Sequence, residues 1–458
     1  MKLEKLKSKL EQKGYKKDYR IRKEFRDNKK VKHFLGKSKG LEELKIIGIT
    51  GSHGKSSVAY IVHEYLKNLG YKSVLYSSIM IDSPASFINK DESCEVSFNC
   101  EEGLLDIIEE AENYEADFLV LEVNESTIQK GLTKDIPFNI RVLTNLNPKH
   151  NLEQYTEEEY VSIKKSFFEN IDDECKCVIG LQDCSKDLFE EILSINDVPK
   201  ITFSSKYIAK VKGVAQNNIN CLLEEVNNTL DGLEMGVRIK DKFMKLNTKM
   251  MMNYNAMNFV CAVAILEALG ILDEEKLNKC IKNIQIPGRA QVYHTNGRLI
   301  VVDAHLPVML EELKTLKNKD EIKKIKVVIG SMGSGFKHWE ERFKSQEFIE
   351  NRSKIRKYAC ELLKQYVDFV YLTENDNGAE SVLDICAELQ NNLEKKVSSI
   401  IIEDREKAIR QAILDSEKGD AIFISGRGNR RILCNTATTM KLVKDSEVVE
   451  KVLSELGW

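Results

Sequence analysis

The chain has 458 residues, 42% hydrophobic and 31% charged, an ordinary globular composition with room for about three domains at roughly 150 residues each. No apolar run reaches the roughly 18 residues that cross a bilayer, and the N-terminus MKLEKLKSKLEQKGYKK lacks the apolar stretch of a secretory signal. A transmembrane or exported protein is therefore not expected, and a cytoplasmic one is. The net charge of -3 hides a basic segment: residues 1–45 hold 17 Lys+Arg against 7 Asp+Glu, a net +10. Such an arm can attract nucleic acid, anionic lipid or an anionic substrate; a solvated helical face is the simpler account, and no nucleic-acid partner is expected. The eleven cysteines are irregularly spaced, and Cys175 and Cys177 have no His-x3–5-His partner. They read as reduced, buried thiols rather than a zinc site.

Strand-like apolar runs alternate with amphipathic stretches. Lys45–Thr50 reads as a buried strand, and Ser56–Leu69 follows with Val58, Ile61, Val62, Tyr65 and Leu66 at helical spacing. Further strands are expected over Ser73–Ser77, Asp117–Val123 and Ile140–Asn145, with helices near 102–112 and 156–170. A second alternating series follows Pro287-Gly288, where proline and glycine interrupt both patterns. Its strands are Arg298–Asp303, Lys324–Gly330, Asp368–Thr373, Ser398–Ile402 and Asp420–Ser425, with helices near 308–317, 351–366, 380–392 and 404–416 between them. The fold class is α/β: a phosphate-loop central domain with a mainly parallel sheet, then a Rossmann-like C-terminal α/β domain. The expected domains are a short basic segment over 1–45, a central nucleotide-binding domain over 46–285 and a C-terminal domain over 286–458.

The strongest motif is Gly48-Ile-Thr-Gly-Ser-His-Gly-Lys-Ser-Ser57, between an expected strand and an expected helix. Glycines let backbone N–H groups turn onto phosphate oxygens, and a helix N-terminus adds partial positive charge. Gly51, Ser52, His53, Gly54, Lys55, Ser56 and Ser57 form the candidate ATP loop, with Lys55 directed to the β- and γ-phosphates and Ser56 to Mg²⁺. The spacing is tighter than the general pattern, since Gly51 precedes Gly54 by three positions.

This compact Thr-Gly-x-x-Gly-Lys-Ser-Ser form resembles the Mur ligases and their folylpolyglutamate-synthetase relatives. Ordered matches extend the likeness from about 46 to 458. Leu121-Glu-Val-Asn124 resembles the family's Glu-Val-Ser-Ser strand end, Leu143-Thr-Asn-Leu-Asn-Pro-Lys-His150 its Thr-Asn-Leu…Asp-His segment, and Glu159–Lys164 with Phe168 the segment of its carbamylated lysine. Tyr254-Asn-Ala256, Ile286-Pro-Gly-Arg289 and Val302-Asp-Ala-His-Leu-Pro307 resemble its Tyr-Asn-Ala, Pro-Gly-Arg and Asp-Tyr-Ala-His-Thr-Pro motifs, while Ile402–Arg405 and Ser425–Gly428 resemble segments near its C-terminal end. Within the family the likeness is greatest to the tripeptide synthetases of peptidoglycan synthesis.

The resemblance implies an ADP-forming carbon–nitrogen ligase of the acid–amino-acid class. ATP phosphorylates a small-molecule or peptidyl carboxylate, and an amine, such as an amino acid, displaces phosphate. It implies two Mg²⁺ ions, with Ser56 and Glu122 for the first and His150 and a carbamylated Lys164 for the second. It implies catalytic roles for Lys55, Lys164 and His150, adenine contact by Asn255, phosphate and ribose contacts by Arg289 and Asp303, and substrate contacts by Asn145 and Arg430. His305 is a weaker candidate. By residue type alone, Glu122 could be a surface carboxylate, Lys164 a solvated helix lysine, Asn255 a helix N-cap and His150 a loop histidine.

Departures concern substrates. Tripeptide synthetases carry a uridine-binding domain of about a hundred residues before the phosphate loop, and 45 residues stand there here. The family's Asp-Asn-Pro-Arg becomes Asn375-Asp-Asn-Gly378, and its Gly-Lys-Gly-His-Glu becomes Gly426-Arg-Gly-Asn-Arg430. A guanidinium replacing a carboxylate at a desolvated contact repels an ammonium, so the amine is not expected to be dibasic, and the acceptor need not be a UDP-muramoyl peptide. Two other functions remain open: a hydrolytic P-loop NTPase, with Glu125 positioning water, and a non-catalytic nucleotide-binding regulator.

Overall fold

The structure is a computed structural model that describes residues 44–83, 107–108, 110–112, 114–134, 136–148, 155–304, 313–314, 316–317, 319–334, 346–429, 432–433 and 441–458. These fall into two compact units, one running to Lys249 with Asn253–Ile284, the other comprising Met250–Met252 and Gln285–Trp458.

In the first unit the chain runs β1 (Lys45–Thr50), α1 (Lys55–Asn68), β2 (Ser73–Tyr76), β3 (Ile81–Asp82), β4 (Phe118–Glu122), α2 (Glu125–Gln129), β5 (Ile140–Leu143) and α3 (Glu157–Ser166). It continues through β6 (Lys176–Gly180), α4 (Lys186–Ser194), β7 (Lys200–Ser205) and α5 (Lys206–Lys212). Then come β8 (Cys221–Thr229), β9 (Gly232–Ile239), β10 (Lys242–Thr248), α6 (Asn253–Leu269) and α7 (Glu274–Ile281). One ten-stranded sheet has the order β10-β9-β8-β7-β6-β5-β1-β4-β2-β3. From β2 to β8 every neighbouring pair is parallel. β2–β3, β8–β9 and β9–β10 are antiparallel.

The parallel strands are apolar runs because both faces are covered; Ile46, Ile47 and Ile49 of β1 are fully buried. Helix α6 is buried from Asn255 to Leu266 and again at Ala268 except for Glu267, as expected of a helix apolar on all sides. Thr156 and Glu159 form a reciprocal capping box at the start of α3. β8–β10 is a meander that strand–helix alternation does not anticipate. Its outer strand reads polar–apolar by turns: Phe243, Lys245 and Asn247 are exposed, while Met244, Leu246 and Thr248 are buried.

In the second unit come β11 (Gln291–Thr295), β12 (Arg298–Asp303), β13 (Ile325–Ile329), α8 (Gln346–Tyr366), β14 (Phe369–Leu372) and α9 (Val382–Asn392). They are followed by β15 (Ser398–Ile401), α10 (Arg405–Leu414), β16 (Ala421–Ser425) and α11 (Asp445–Leu456). The sheet order is β11-β12-β16-β13-β14-β15, parallel except for the β11–β12 hairpin. Ile300, Val302, Ile422 and Ile424 pack with Ala408, Ile409 and Val449 over one face.

Candidate active site

Strand β1 lies between β5 and β4, so the order reverses at its carboxyl end, where open α/β sheets bind ligands. Three chain segments converge there: the loop 51–54, the end of β4 at Glu122 and the end of β5 at Thr144-Asn145. Gly51 and Gly54 both have positive φ, +147° and +79°. A Cβ at Gly51 would strike Thr144 Oγ1, and one at Gly54 would strike Asn258 Oδ1 of α6, so the loop tolerates side chains at neither position.

The segment after β5 clamps the loop. Ser52 N donates to Asn145 O (3.2 Å), His53 N to Asn145 Oδ1 (2.9 Å), and Asn145 Nδ2 and Thr144 Oγ1 to His53 O (3.1 and 2.6 Å). Asn147 N donates to Ser52 Oγ (2.9 Å). Asn145, expected as a substrate contact, has its side-chain amide engaged with the loop in this arrangement. Lys55 Nζ donates to Gly51 O (2.9 Å) and Ser52 O (3.4 Å), which holds the ammonium over the loop. His53 is brought down to a pKa of about 4, by burial first and then by Lys55, so it is neutral near pH 7.

Beside the start of α1, Ser56 Oγ and Ser78 Oγ are 3.0 Å apart. Glu122, buried at the end of β4, accepts from Ser78 N (2.8 Å, Oε2) and Ser78 Oγ (3.2 Å, Oε1). Ser56 and Glu122 are thus joined through Ser78. Three hard oxygen donors beside the phosphate loop fit Mg²⁺. Ser78 is a residue that motif reading missed: it lies in a loop that no pattern marks.

Lys164 points inward from α3 with its side chain fully enclosed. Its Nζ lies 2.8 Å from Glu125 Oε1 and donates to Thr50 Oγ1 (2.9 Å) at the end of β1. The hydroxyl of Tyr160, one turn earlier, lies 3.0 Å from Ser52 Oγ and 3.2 Å from Glu125 Oε1, in hydrogen-bond reach of both. Burial, joined by Lys55 and opposed by Glu125, brings Lys164 down to a pKa of about 8. Burial pushes the Glu125 carboxyl up, but Lys164 and Lys55 outweigh it and hold the group well below the usual carboxylate range. Asn124, whose side chain accepts from Thr127 N, caps α2 and sets Glu125 at its first position.

Asn255 is the third residue of α6, inside its first turn rather than at its cap, and is fully buried. Its Oδ1 accepts from Asn258 Nδ2 (3.1 Å), and Asn258 is the residue facing Gly54, so the helix start adjoins the loop. His150, His305 and Arg430 lie outside the described residues.

The second unit has its own polar cluster at the carboxyl ends of its strands. Asp303 Oδ2 accepts from Ala290 N (2.9 Å), and Asp303 O from Gly426 N (3.0 Å). Arg289 forms a turn with Ile286 (N→O, 3.0 Å). Arg427, fully buried, donates to Asp376 Oδ1 (2.8 Å) and Asn375 Oδ1 (3.4 Å). It therefore binds together residues 375–376 and the segment 426–429, parts of the two stretches that differ from the family pattern. The sequence reading singled out Arg430 and passed over Arg427; a Gly-Arg-Gly directly after a buried strand was the available signal. Arg405, also buried, grips Asp445 with Nε and Nη2 (2.6 and 2.7 Å).

A glycine loop between a buried strand and a helix, with a lysine over it and oxygen donors at its end, defines a P-loop α/β protein. The family is given by two matches: residues 49–266 fit the Mur ligase middle domain and 288–428 the Mur ligase, glutamate ligase domain. The chain belongs to the Mur ligase family, whose members are ATP-dependent, ADP-forming ligases that join amino acids or peptides. It is 24% identical over 424 residues to the UDP-N-acetylmuramoyl-L-alanyl-D-glutamate–2,6-diaminopimelate ligase of Caldanaerobacter subterraneus subsp. tengcongensis, across 90% of this chain and 79% of that protein. Among solved structures it resembles the MurF ligase from Thermotoga maritima in complex with ADP (TM-score 0.58, 18% identity, 95% of this chain and 84% of that one). It also resembles the bifunctional folylpolyglutamate synthase/dihydrofolate synthase from Yersinia pestis CO92 (TM-score 0.59, 15% identity, 99% and 98%). At these identities the structural likenesses show the fold.

Proposed function

We propose that this chain is a Mur-type ligase that spends ATP on loop 51–57 to join a small-molecule or peptidyl carboxylate to an amine. The observation that carries this reading is the convergence of Lys55, the Ser56–Ser78–Glu122 oxygens and the Glu125–Lys164 pair at the reversal point of one sheet. A carboxylate oxygen of the substrate attacks the γ-phosphorus and ADP leaves. The amine nitrogen then attacks the acyl carbon, phosphate leaves, and the nitrogen gives up a proton. Lys55 and the loop N–H groups stabilise the charge carried by the phosphates during transfer. Ser56 and Glu122 would hold Mg²⁺, which neutralises phosphate charge when bound.

Asn255 is assigned to adenine, and Arg289 and Asp303 to phosphate and ribose. Asn145 would hold the loop as well as face substrate. A second Mg²⁺ with His150 belongs to the same reading. A carbamate on Lys164 is one source of its carboxylate, supported by an amine brought down to about 8, because only a neutral amine adds CO₂. The reading assigns the work to the cytoplasm; among the described residues no helix is long and apolar enough to cross a membrane.

The test is ADP release measured with matrices of carboxylates and amines. Release that requires one of each supports the ligase. Release without either substrate favours an NTPase, and nucleotide binding without turnover favours a regulator.

A further inference from the structure

A buried arginine that the proposed chemistry does not use stands in α8. Arg356 is 4% exposed, although Lys354, Ile355, Lys357 and Tyr358 around it all face solvent. A guanidinium leaves water at low cost only where its donors are met, and here all three nitrogens have acceptors. Nε donates to Ser331 Oγ (3.3 Å), Nη2 to Met332 O (2.8 Å) and Glu380 Oε2 (2.9 Å), and Nη1 to Glu388 Oε2 (2.6 Å). Glu388 belongs to α9, so that contact joins two helices. The other three partners lie on the segments that leave β13 and β14.

Those two segments are zipped together. β13 and β14 are parallel neighbours. Beyond their carboxyl ends Gly333 N donates to Asp376 O (2.8 Å) and Ala379 N to Ser334 O (2.7 Å), and Ser334 and Gly378 form a bridge. Glycine is required on both sides. A Cβ at Gly333 would lie 1.9 Å from Asn377 O, and Gly378, where the family pattern has an arginine, has a φ of +60°. Asp376 in turn holds Arg427. Arg356 thus grips the zipped segments on both sides, at Ser331 and Met332 on one and at Glu380 on the other. They stand beyond the carboxyl ends of parallel strands, where α/β sheets receive ligands, and 375–378 is a stretch that departs from the family pattern.

We propose that Arg356 is a positioning residue for the amine substrate: from α8 it sets the register of 331–334 against 375–380, and the zipped pair receives the amine. The proposal rests on the ligase reading and assigns its amine to this part of the second unit. Arg356 itself touches no substrate. Its planar fork reaches both segments and α9 at once, which the single ammonium of a lysine does not.

Steady-state kinetics of the full chain, with a carboxylate–amine pair that supports ADP release, test this. Arg356→Lys is expected to raise the KM for the amine at least about tenfold, with kcat at saturating amine and the KM for ATP within about threefold of wild type, because a displaced binding segment weakens capture more than the chemical step. Glu380→Gln is expected to raise the amine KM by a smaller factor. Glu388→Gln loosens the contact between helices but leaves the grip on both segments, so it should lower Tm and move the amine KM less than Glu380→Gln does. An unchanged amine KM in folded Arg356→Lys overturns the proposal. So does an equal rise in the KM for ATP or for the carboxylate, or an effect of Glu388→Gln as large as that of Glu380→Gln. If Arg356→Lys does not fold, the two glutamate variants decide. Failure of the ligase reading is seen separately, as wild-type protein that releases no ADP with any carboxylate–amine pair, and the proposal then falls with it.

Discussion

Lys55 and Asp82 mark the two extremes of what a single residue shows in the sequence. Lys55 is legible in the motif, because a lysine after the last glycine of such a loop has one geometric use. Its Nζ sits over the carbonyls of Gly51 and Ser52, within the loop that would hold phosphate. Lys55→Ala is expected to lower ATP turnover at least about 10²-fold, the cost of removing one preorganised donor, with the fold kept. Single-turnover ADP release and circular dichroism check both halves. Asp82 was not legible. It ends the short strand β3 and accepts from His63 Nε2 (2.9 Å) and Lys67 Nζ (2.8 Å), both on α1. Burial is the largest influence and pushes its carboxyl up, yet His63 and Lys67 together bring it below its ordinary 3.8. A carboxyl depressed in the folded state contributes stability that is present above its unfolded pKa and is lost as pH falls through the folded one. Asp82→Asn should therefore cost about 1–3 kcal/mol at neutral pH. Its stability should also fall less than the wild type's as pH drops below about 4. Urea titrations at pH 7 and pH 3.5 measure the difference.

Among the elements, the parallel strands and the helices between them are predictable because each buries an apolar stripe of fixed period. Strands β1, β12 and β16 match their expected ranges within a residue at each end. The meander β8–β10 escaped because its strands follow one another without a helix, and β9 carries the mixed run GLEMGVRI. Charged pairs between elements escaped for a different reason: a buried charge has no sequence period. Arg405 at the start of α10 and Asp445 at the start of α11 illustrate this. Both are fully enclosed, and Arg405 also donates to Ser425 O (2.9 Å) and Glu374 O (3.2 Å). It links two helix starts to two strand ends. Asp445→Ala leaves an uncompensated buried guanidinium and should destabilise the second unit by about 3–5 kcal/mol. A double Arg405→Met, Asp445→Leu variant should recover much of that loss, because no charge then stays buried alone. Thermal or urea unfolding of the full chain distinguishes the two.

For the whole molecule the open question is what it joins. The expectation that the amine is not dibasic rested on Gly378 and Arg430. Arg427, which stands where the family has a lysine, is a fully buried guanidinium paired with Asp376 and adds no new charge to the region. A guanidinium at Arg430 in place of a carboxylate repels an ammonium and favours a carboxylate. Competition among glutamate, aspartate, alanine, lysine and diaminopimelate, with product mass as readout, should favour an acidic or neutral amine by at least about tenfold, a difference of about 1.4 kcal/mol. Preference for lysine or diaminopimelate would show that the region does not read the amine. By itself the sequence determined the α/β class, the glycine loop between β1 and α1, the order of family motifs and most strands, because strand burial and glycine turns are local properties written in local patterns. The tertiary structure decided what closes around them. Lys164 meets Thr50 across 114 positions and Tyr160 meets Glu125 across 35. Such pairs form only because a reversal of strand order brings separate carboxyl ends to one place, and no pattern within a segment records which charges will meet there.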